Sequence, residues 1–289
     1  MRVISFHIKI ISRSEGRSAI QMSAYCARDK RYSSYAGTIY DYTDRKDLVY
    51  HEVMLPSYVS QNFLNPECLW NSVEKVERCR NSQLARSITI AIPKEFDHDT
   101  QIRLVKDYVW RNFVLIGMCA EVSIHDKGVG NPHVHILLTT RSIDKNGEWM
   151  QKQYRNYLLD EQGNRIRNPS GKGYKLGKSI KVNDWDDCRL AEKWRELWAD
   201  ACNKMFREMN ITENGRVMEV THMSYQRQGL DKVPTIHLGA RASALERQGV
   251  YTRRGETNRE IENRNKAMEL KRLREQLEPY YDREIDRKI

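Results

Sequence analysis

The chain has 289 residues, 39% of them hydrophobic and 30% charged, with a formal net charge of +10 and a pI near 9.2. That length can bury a full core as one large domain or two small ones, and the surplus of cations calls for an anionic partner. No run of about 18 apolar residues is present, which excludes a membrane-spanning helix, and the start lacks a signal-peptide apolar region, so a soluble, cytoplasmic protein is expected.

Residues 3–11 alternate, with Ile4, Phe6, Ile8 and Ile10 on one face and Ser5, His7 and Lys9 on the other, which predicts a strand. Residues 12–17 read as a turn, and Ser18 as the N-cap of a helix to about Arg28. A second strand is expected at 48–55. Pro66 opens a helix to about Arg80, followed by a strand at 84–92 that Pro93 ends. Asp99 is expected to cap a helix through Met118, with Ile102, Val105, Val109 and Phe113 on its apolar side. Residues 119–125 and 133–140 alternate as the two arms of a hairpin. Within 151–181, eight Lys or Arg outnumber Asp160 and Glu161; a basic insertion at about 143–183 is expected, either holding a small hairpin around Asp160-Glu161-Gln162-Gly163 or forming a mobile lid. Trp185, Cys188, Ala191, Trp194, Trp198, Ala201, Cys202, Met205 and Met209 recur every three or four residues, an amphipathic helix whose tryptophans belong to the core. Residues 256–289 read as a charged helical extension or frayed tail. This order of elements favours an α+β fold with an antiparallel sheet over a doubly wound parallel one. Cys26, Cys68, Cys79, Cys119, Cys188 and Cys202 form no CxxC pair, so reduced thiols are expected and no zinc ribbon.

His125, His133 and His135 carry the sharpest chemical signal. If the hairpin sets His125 opposite His133, the period of two sets Ser123 opposite His135, and three imidazoles converge on one face with opposed Cβ atoms ~5 Å apart. Val134, Ile136 and Leu138 then point the other way. A lone strand histidine is usually structural; three on one face suit a divalent cation, with imidazole softness favouring manganese, nickel, cobalt or zinc over magnesium.

On the first helix, at about 100° per residue, Ala19, Ile20, Met22, Cys26 and Ala27 share a side while Ser18, Gln21, Tyr25 and Arg28 share the other. Tyr25 is thus not a core aromatic. With Arg13, Arg17 and Arg28 as candidate phosphate contacts, its hydroxyl is placed to meet a phosphodiester.

The segment Lys9-Ile10-Ile11-Ser12-Arg13-Ser14-Glu15-Gly16-Arg17-Ser18-Ala19 leading to Ala24-Tyr25 resembles the first motif of the MobA/MobL relaxases, a branch of the HUH endonucleases. Gly117-Met118-Cys119-Ala120, Ile124-His125-Asp126-Lys127-Gly128 and Gly130-Asn131-Pro132-His133-Val134-His135 are similar to the family's metal motif. Tyr225-Gln226-Arg227-Gln228-Gly229, Pro234-Thr235-Ile236-His237-Leu238-Gly239 and Thr252-Arg253-Arg254-Gly255-Glu256 continue the likeness in order. The resemblance implies a ferredoxin-like, palm-type HUH sheet covered by helices, a relaxase domain over 1–255 that includes the basic insertion, and an extension over 256–289. It implies a strand-specific nickase acting on single-stranded or hairpin DNA at a plasmid or conjugative transfer origin, with accessory relaxosome proteins and a coupling protein as partners. Tyr25 is then the nucleophile, forming a 5'-phosphotyrosine link and later rejoining the strand, and His125, His133 and His135 hold a divalent metal, manganese, magnesium or similar.

The sequence departs from the family at one point. In Leu84-Ala85-Arg86-Ser87-Ile88-Thr89-Ile90 the family usually has acidic residues where this chain has Ser87 and Thr89, both expected to face the site. Neither can act as a base, and Glu121, four residues from His125, is ~13 Å away along an extended strand. The cation and arginines are left to activate the phenol. The rival readings are a rolling-circle replication initiator or single-strand transposase of the HUH type, a metal hydrolase using bound water, and an origin-DNA-binding protein impaired in catalysis. The basic 151–181 segment is a candidate DNA clamp.

Overall fold

A computed structural model describes residues 2–285, so positions 286–289 of the expected extension lie outside the described residues. The chain divides into two compact units, Met1–His222 and Met223–Ile289.

The first unit is built on five strands: β1 (Phe6–Ser12), β4 (Leu48–Met54), β5 (Gln83–Ala91), β6 (Ala120–His125) and β7 (His133–Leu138), with β2 (Lys30–Ser33) and β3 (Thr38–Asp41) forming a separate hairpin. The sheet order is β1-β5-β7-β6-β4, every pair antiparallel. The fold is α+β, as the element order implies. The β2–β3 hairpin is not among the expected elements, because its alternation is carried by tyrosines and polar residues. Its turn is set by Gly37 at φ +62°, whose N–H donates to Ser33 O at 2.9 Å.

Period-two patterning sorts the sheet into two chemically different faces. Ile88, Ile90, Val122, Ile124, Val134, Ile136 and Leu138 are buried against α3 (His98–Val109) and α4 (Arg189–Glu208). On the opposite face, Ile11, Val53, Ala85 and Leu137 pack with Ile20 of α1 (Ala19–Ala27) and with Leu69, Trp70 and Val73 of α2 (Pro66–Val76). This second core occupies one end of its face. The other end carries the histidines.

Two helix boundaries differ from the sequence expectation. α3 is capped by Asp97, whose side chain accepts from Thr100 N at 2.8 Å, rather than by Asp99. It gives way after Val109 to a π-helical turn, Trp110–Val114, a one-residue shift of period that leaves Phe113 and Val114 buried. α2 ends at Val76 instead of near Arg80, because Glu77 turns inward to pair with Arg141 and Lys152.

The position of α1 is fixed at both ends by buried carboxylates. Glu74 of α2 accepts from Ser18 Oγ at 2.8 Å and Ala19 N at 2.7 Å, setting a negative charge at the helix N-terminus. Near the other end, Glu121 of β6, 1% exposed, accepts from Ser23 Oγ, Arg31 Nη1, Trp70 Nε1 and His51 Nε2. Burial alone would raise the Glu121 carboxyl, but the hydrogen bonds and the Arg31 charge outweigh it and hold it at about 2. Its contribution to stability is therefore complete above the usual carboxylate range near 4.5 and is lost as pH falls from there toward 2. Glu121→Gln should cost about 3 kcal/mol, since it leaves the buried Arg31 charge with only the exposed Asp29 carboxylate, 3.4 Å away, and should flatten the acid limb. Urea unfolding across a pH series measures both.

The basic insertion is ordered into short paired segments. β8 (Gln153–Tyr154) pairs with β9 (Ile180–Lys181). Beyond them, bridges Tyr157↔Leu176, Leu159↔Arg165 and Arg167↔Tyr174 zip three stretches together. A turn at Asp160–Gly163, the expected position, closes one end, with Gly163 N donating to Asp160 O at 3.0 Å. Arg165 stacks 4.3 Å from the Tyr157 ring and the Tyr157 and Tyr174 rings meet edge-on.

In the second unit, α5 (Ala240–Arg247) precedes the long, charged α6 (Arg253–Ile285). Asn258 and Asn265, two turns apart on α6, each exchange hydrogen bonds with the backbone of an extended segment, at Ile236 and Val233. A Cβ at Gly255 would displace the Glu246 carboxylate from its hydrogen bonds with Thr252 and Arg259, which favours glycine in the Thr252-Arg253-Arg254-Gly255-Glu256 segment. Among the described residues, no helix is long and apolar enough to cross a membrane.

Candidate metal centre and tyrosine

The β6–β7 register sets His125 opposite His133 and Ser123 opposite His135, as the hairpin reading requires. Strand period then puts all three imidazoles on the side of the sheet that α1 approaches. Their ligand atoms lie within 4.8 Å of one another, and the ring centroids are 4.8–5.4 Å apart.

Each ring has one nitrogen committed to an oxygen. His125 Nε2 donates to Cys26 O at 2.6 Å, His133 Nδ1 to Asn131 O at 3.0 Å, and His135 Nδ1 lies 3.2 Å from Thr89 Oγ1. Such partners fix ring orientation and tautomer, leaving the second nitrogen of each ring as the lone pair for a cation. Burial, with the nearby Arg28 and His133 charges, lowers His125 to about 4. Burial, with His125 and His133, lowers His135 to about 3. Both are neutral at pH 7, the form that ligates. The Ser123 hydroxyl, opposite His135, is buried with no hydrogen-bond partner among the described residues, a polar oxygen beside the imidazoles that the fold itself does not satisfy. The donor set therefore fits a divalent metal, with one competitor: Arg28 Nη2 lies 3.2 Å from His125 Nδ1, the same lone pair an ion needs.

Tyr25 projects from the last full turn of α1 and is half-buried. Its ring meets His135 edge-on at 6.2 Å and Tyr42 edge-on at 5.4 Å, and the guanidinium groups of Arg28 and Arg45 stack on it at 4.5 and 4.8 Å. The structure thus joins Tyr25, His125, His133 and His135, as expected from the sequence.

The three arginines proposed as phosphate contacts fare differently. Arg28 adopts φ +55°, the left-handed residue that ends α1. Its side chain is 5% exposed and pairs with Asp47 at 2.8 Å while donating to Tyr25 O; it braces the tyrosine from within. Arg13 donates to Glu74 O and Glu77 O and covers the Tyr35 ring, so its donors serve the end of α2. Arg17 is exposed and paired with Glu15. Of the β5 pair, Thr89 touches His135, whereas Ser87 pairs with Leu137 and Lys9, one pleat further away. Tyr32 and Tyr35 are exposed on or beside the β2–β3 hairpin.

Sequence reasoning missed Tyr42, Arg45 and Asp47. The Arg28 hydrogen bonds hold the Asp47 carboxyl at about 2, against burial, so it is a fixed negative charge behind the site. The clustering of Tyr42, Asp44, Arg45, Lys46 and Asp47 immediately before β4 is the signal that was available.

A face of an antiparallel sheet that presents His-hydrophobe-His on one strand and a third histidine opposite, under a helix-borne tyrosine, defines an α+β protein of the HUH class whose histidine cluster can bind a metal. The chain belongs to the MobA/MobL family, whose profile matches residues 17–248. It is 33% identical over 98% of its length to a probable mobilization protein MobA of Bifidobacterium longum, covering 51% of that protein. It is 33% identical over 94% of its length to a conjugal transfer protein TraA of Agrobacterium fabrum, covering 25%. The chain thus spans about half of the one and a quarter of the other of these curated relatives. A solved structure described under the molecular basis of vancomycin resistance transfer in Staphylococcus aureus aligns with a TM-score of 0.61 at 29% identity, over 77% of this chain and all of that one.

Thr89→Val keeps shape and removes the hydroxyl beside His135. It should weaken divalent metal affinity by roughly 10-fold; isothermal titration with manganese reads this, and unchanged affinity would remove Thr89 from the site.

Proposed function

We propose that this chain is a relaxase that nicks one strand at an origin of transfer and later reseals it. The observation that carries this reading is the convergence of three imidazoles and the Tyr25 ring on one side of the sheet. In the proposed reaction Tyr25 Oη bonds to the scissile phosphorus, the bond from phosphorus to the 3' oxygen breaks, and that oxygen leaves as a hydroxyl after taking a proton. The 5' end stays esterified to Tyr25, which conserves the phosphodiester energy for rejoining. A divalent ion on His125, His133 and His135 would supply positive charge to the phosphate oxygens as the transition state forms. The chain's own residues supply the rest. Arg28 and Arg45 hold the tyrosine ring and bring positive charge beside it, and Thr89, Cys26 O and Asn131 O fix the imidazoles.

Single-stranded or hairpin DNA at the origin is the proposed substrate. The paired basic insertion, with Arg165 stacked between the half-buried Tyr157 and the exposed Tyr174, is the proposed clamp. Accessory relaxosome proteins and a coupling protein are the proposed partners, and manganese or magnesium the proposed metal. In this reading residues 1–255 form the relaxase domain and 256–289 its extension.

The test is incubation with single-stranded oligonucleotides tiling the transfer region of the encoding element, with manganese, followed by denaturing electrophoresis. A covalent protein–DNA adduct is expected. Free 5'-phosphate ends without adduct would instead favour water as nucleophile. The second reading, an origin-binding protein that does not cut, draws on Thr89 and Ser87: no carboxylate from β5 faces the tyrosine. It predicts salt-sensitive DNA binding and no product with any divalent ion.

A further inference from the structure

A second concentration of charge lies at the end of the sheet remote from the histidines. Arg86 of β5 is in register with Leu138 and Ile10, so its side chain leaves the sheet on the α3/α4 side, away from the histidines. It is 6% exposed. Among the described residues no carboxylate lies within ion-pair distance and its Nη1 has no hydrogen-bond partner; burial lowers its pKa, with the Asp186 charge opposing this only in part. Its guanidinium lies over the Trp194 ring, 5.2 Å from the centroid. A buried guanidinium without an anion is disfavoured unless something else is satisfied by it.

Arg86 borders a cleft of about 530 Å³ at the root of the basic insertion, also lined by Arg141, Lys152 and Lys181. Glu77 and Asp186 are the acidic residues of the lining, and both are committed. Glu77 takes Arg141 at 2.9 Å and Lys152 at 3.0 Å, and Asp186 takes Lys181 at 2.7 Å. Four cations against two carboxylates leave the cleft with an unmet demand for negative charge, centred on Arg86. A planar guanidinium fork with lysines beside it matches the oxygens of a phosphate, and the cleft is larger than a lone carboxylate would need.

We propose that this cleft is a second phosphate-binding site, separate from the histidine site, and that its occupant is a backbone phosphate of the DNA strand led in along the basic insertion. The assignment to DNA rests on the relaxase reading; the affinity for phosphate does not. The site holds a strand away from the nick, so that strand and scissile phosphate are gripped at opposite ends of one rigid sheet.

The experiment uses the full chain carrying Tyr25→Phe, in EDTA, so that binding is read without chemistry. Affinity for single-stranded DNA is measured across a salt series for this protein and for added Arg86→Gln or Lys181→Gln. Lys181 is largely exposed, so its variant keeps the test decisive if Arg86→Gln does not fold. Each substitution should weaken binding and reduce the slope of log K against log salt by about 1. In a second arm, inorganic phosphate and deoxyadenosine monophosphate are titrated while the melting temperature is followed. Stabilisation of the parent that is lost in the variants, with the DNA slope unchanged, overturns the backbone assignment and gives the cleft to a free phosphate compound. No phosphate response together with an unchanged slope overturns the proposal entirely. Arg86→Met should raise the melting temperature of the unliganded protein, because it removes the unpaired charge; a fall would mean that Arg86 is structural and would also count against it. Adduct formation by the chain with native Tyr25 is read separately, so failure of the nicking reaction and failure of this site are distinguishable.

Discussion

Tyr25→Phe is expected to abolish the covalent protein–DNA adduct and to lower nicking below roughly a thousandth of the unmodified chain, because the substitution removes the attacking oxygen and little else. The half-buried ring keeps its edge contacts with His135 and Tyr42 and its stacking between Arg28 and Arg45, so folding and DNA affinity should be unchanged within about 2-fold. Mass spectrometry of the DNA-linked peptide from the unmodified chain should place the nucleotide on the α1 peptide. A normal adduct yield from Tyr25→Phe, or a link at Tyr32, Tyr35 or Tyr42, would sink the assignment. Tyr42 is the informative competitor: it stands beside Tyr25 and accepts from Gln21 Nε2 at 3.3 Å, but its ring is not among those meeting a histidine.

Loss of the ion is the second large effect. His135→Ala should weaken divalent metal binding by more than the roughly 10- to 100-fold typical of an outer partner, and chelation of the intact chain should stop adduct formation while leaving DNA binding in place. Since His125 and His135 stay neutral far below the ordinary histidine range, metal binding should hold as pH falls through 6.5 and fail only as it approaches about 4, where protons take the lone pairs. A titration against pH with manganese checks the sign: affinity that fell away near 6.5 would contradict the burial argument. Arg28 adds a particular feature. Its contact with His125 Nδ1 and a metal on that nitrogen exclude one another, so metal binding should be accompanied by a turn of the Arg28 fork toward Asp47, visible as a shift in the guanidinium resonances by NMR.

The departure at β5 divides into two cases in three dimensions. Thr89 stands where it orients His135, and a hydroxyl can do that as a hydrogen-bond partner without being a base. Ser87 is one pleat away, beside Leu137 and Lys9. The acidic residues near the site come instead from elsewhere: Asp47 from the segment before β4, neutralised by Arg28, and Glu121 from β6, neutralised by Arg31. Both carboxylates are held in ion pairs, so the base for the tyrosine proton is left to the substrate or to solvent.

The sequence by itself determined the histidine hairpin, its register and its polarity, because a strand repeats every two residues and His125, Ser123, His133 and His135 have only one way to share a face once Val134, Ile136 and Leu138 are buried. It determined the exposed side of α1 for the same kind of reason, since the 3.6-residue period separates Tyr25 from Ala24, Cys26 and Ala27. It was silent on the π turn after Val109, which breaks period by one residue, and on the β2–β3 hairpin, whose alternation is polar. Only the tertiary structure decided that Arg13 ends a helix, that Arg28 faces inward, that Asp47 reaches it from 19 residues away, and that Arg86 is buried with no ion-pair partner among the described residues. Local period fixes which way a residue points. What that residue meets depends on long-range packing, and charge pairing between distant segments leaves no periodic trace in the chain.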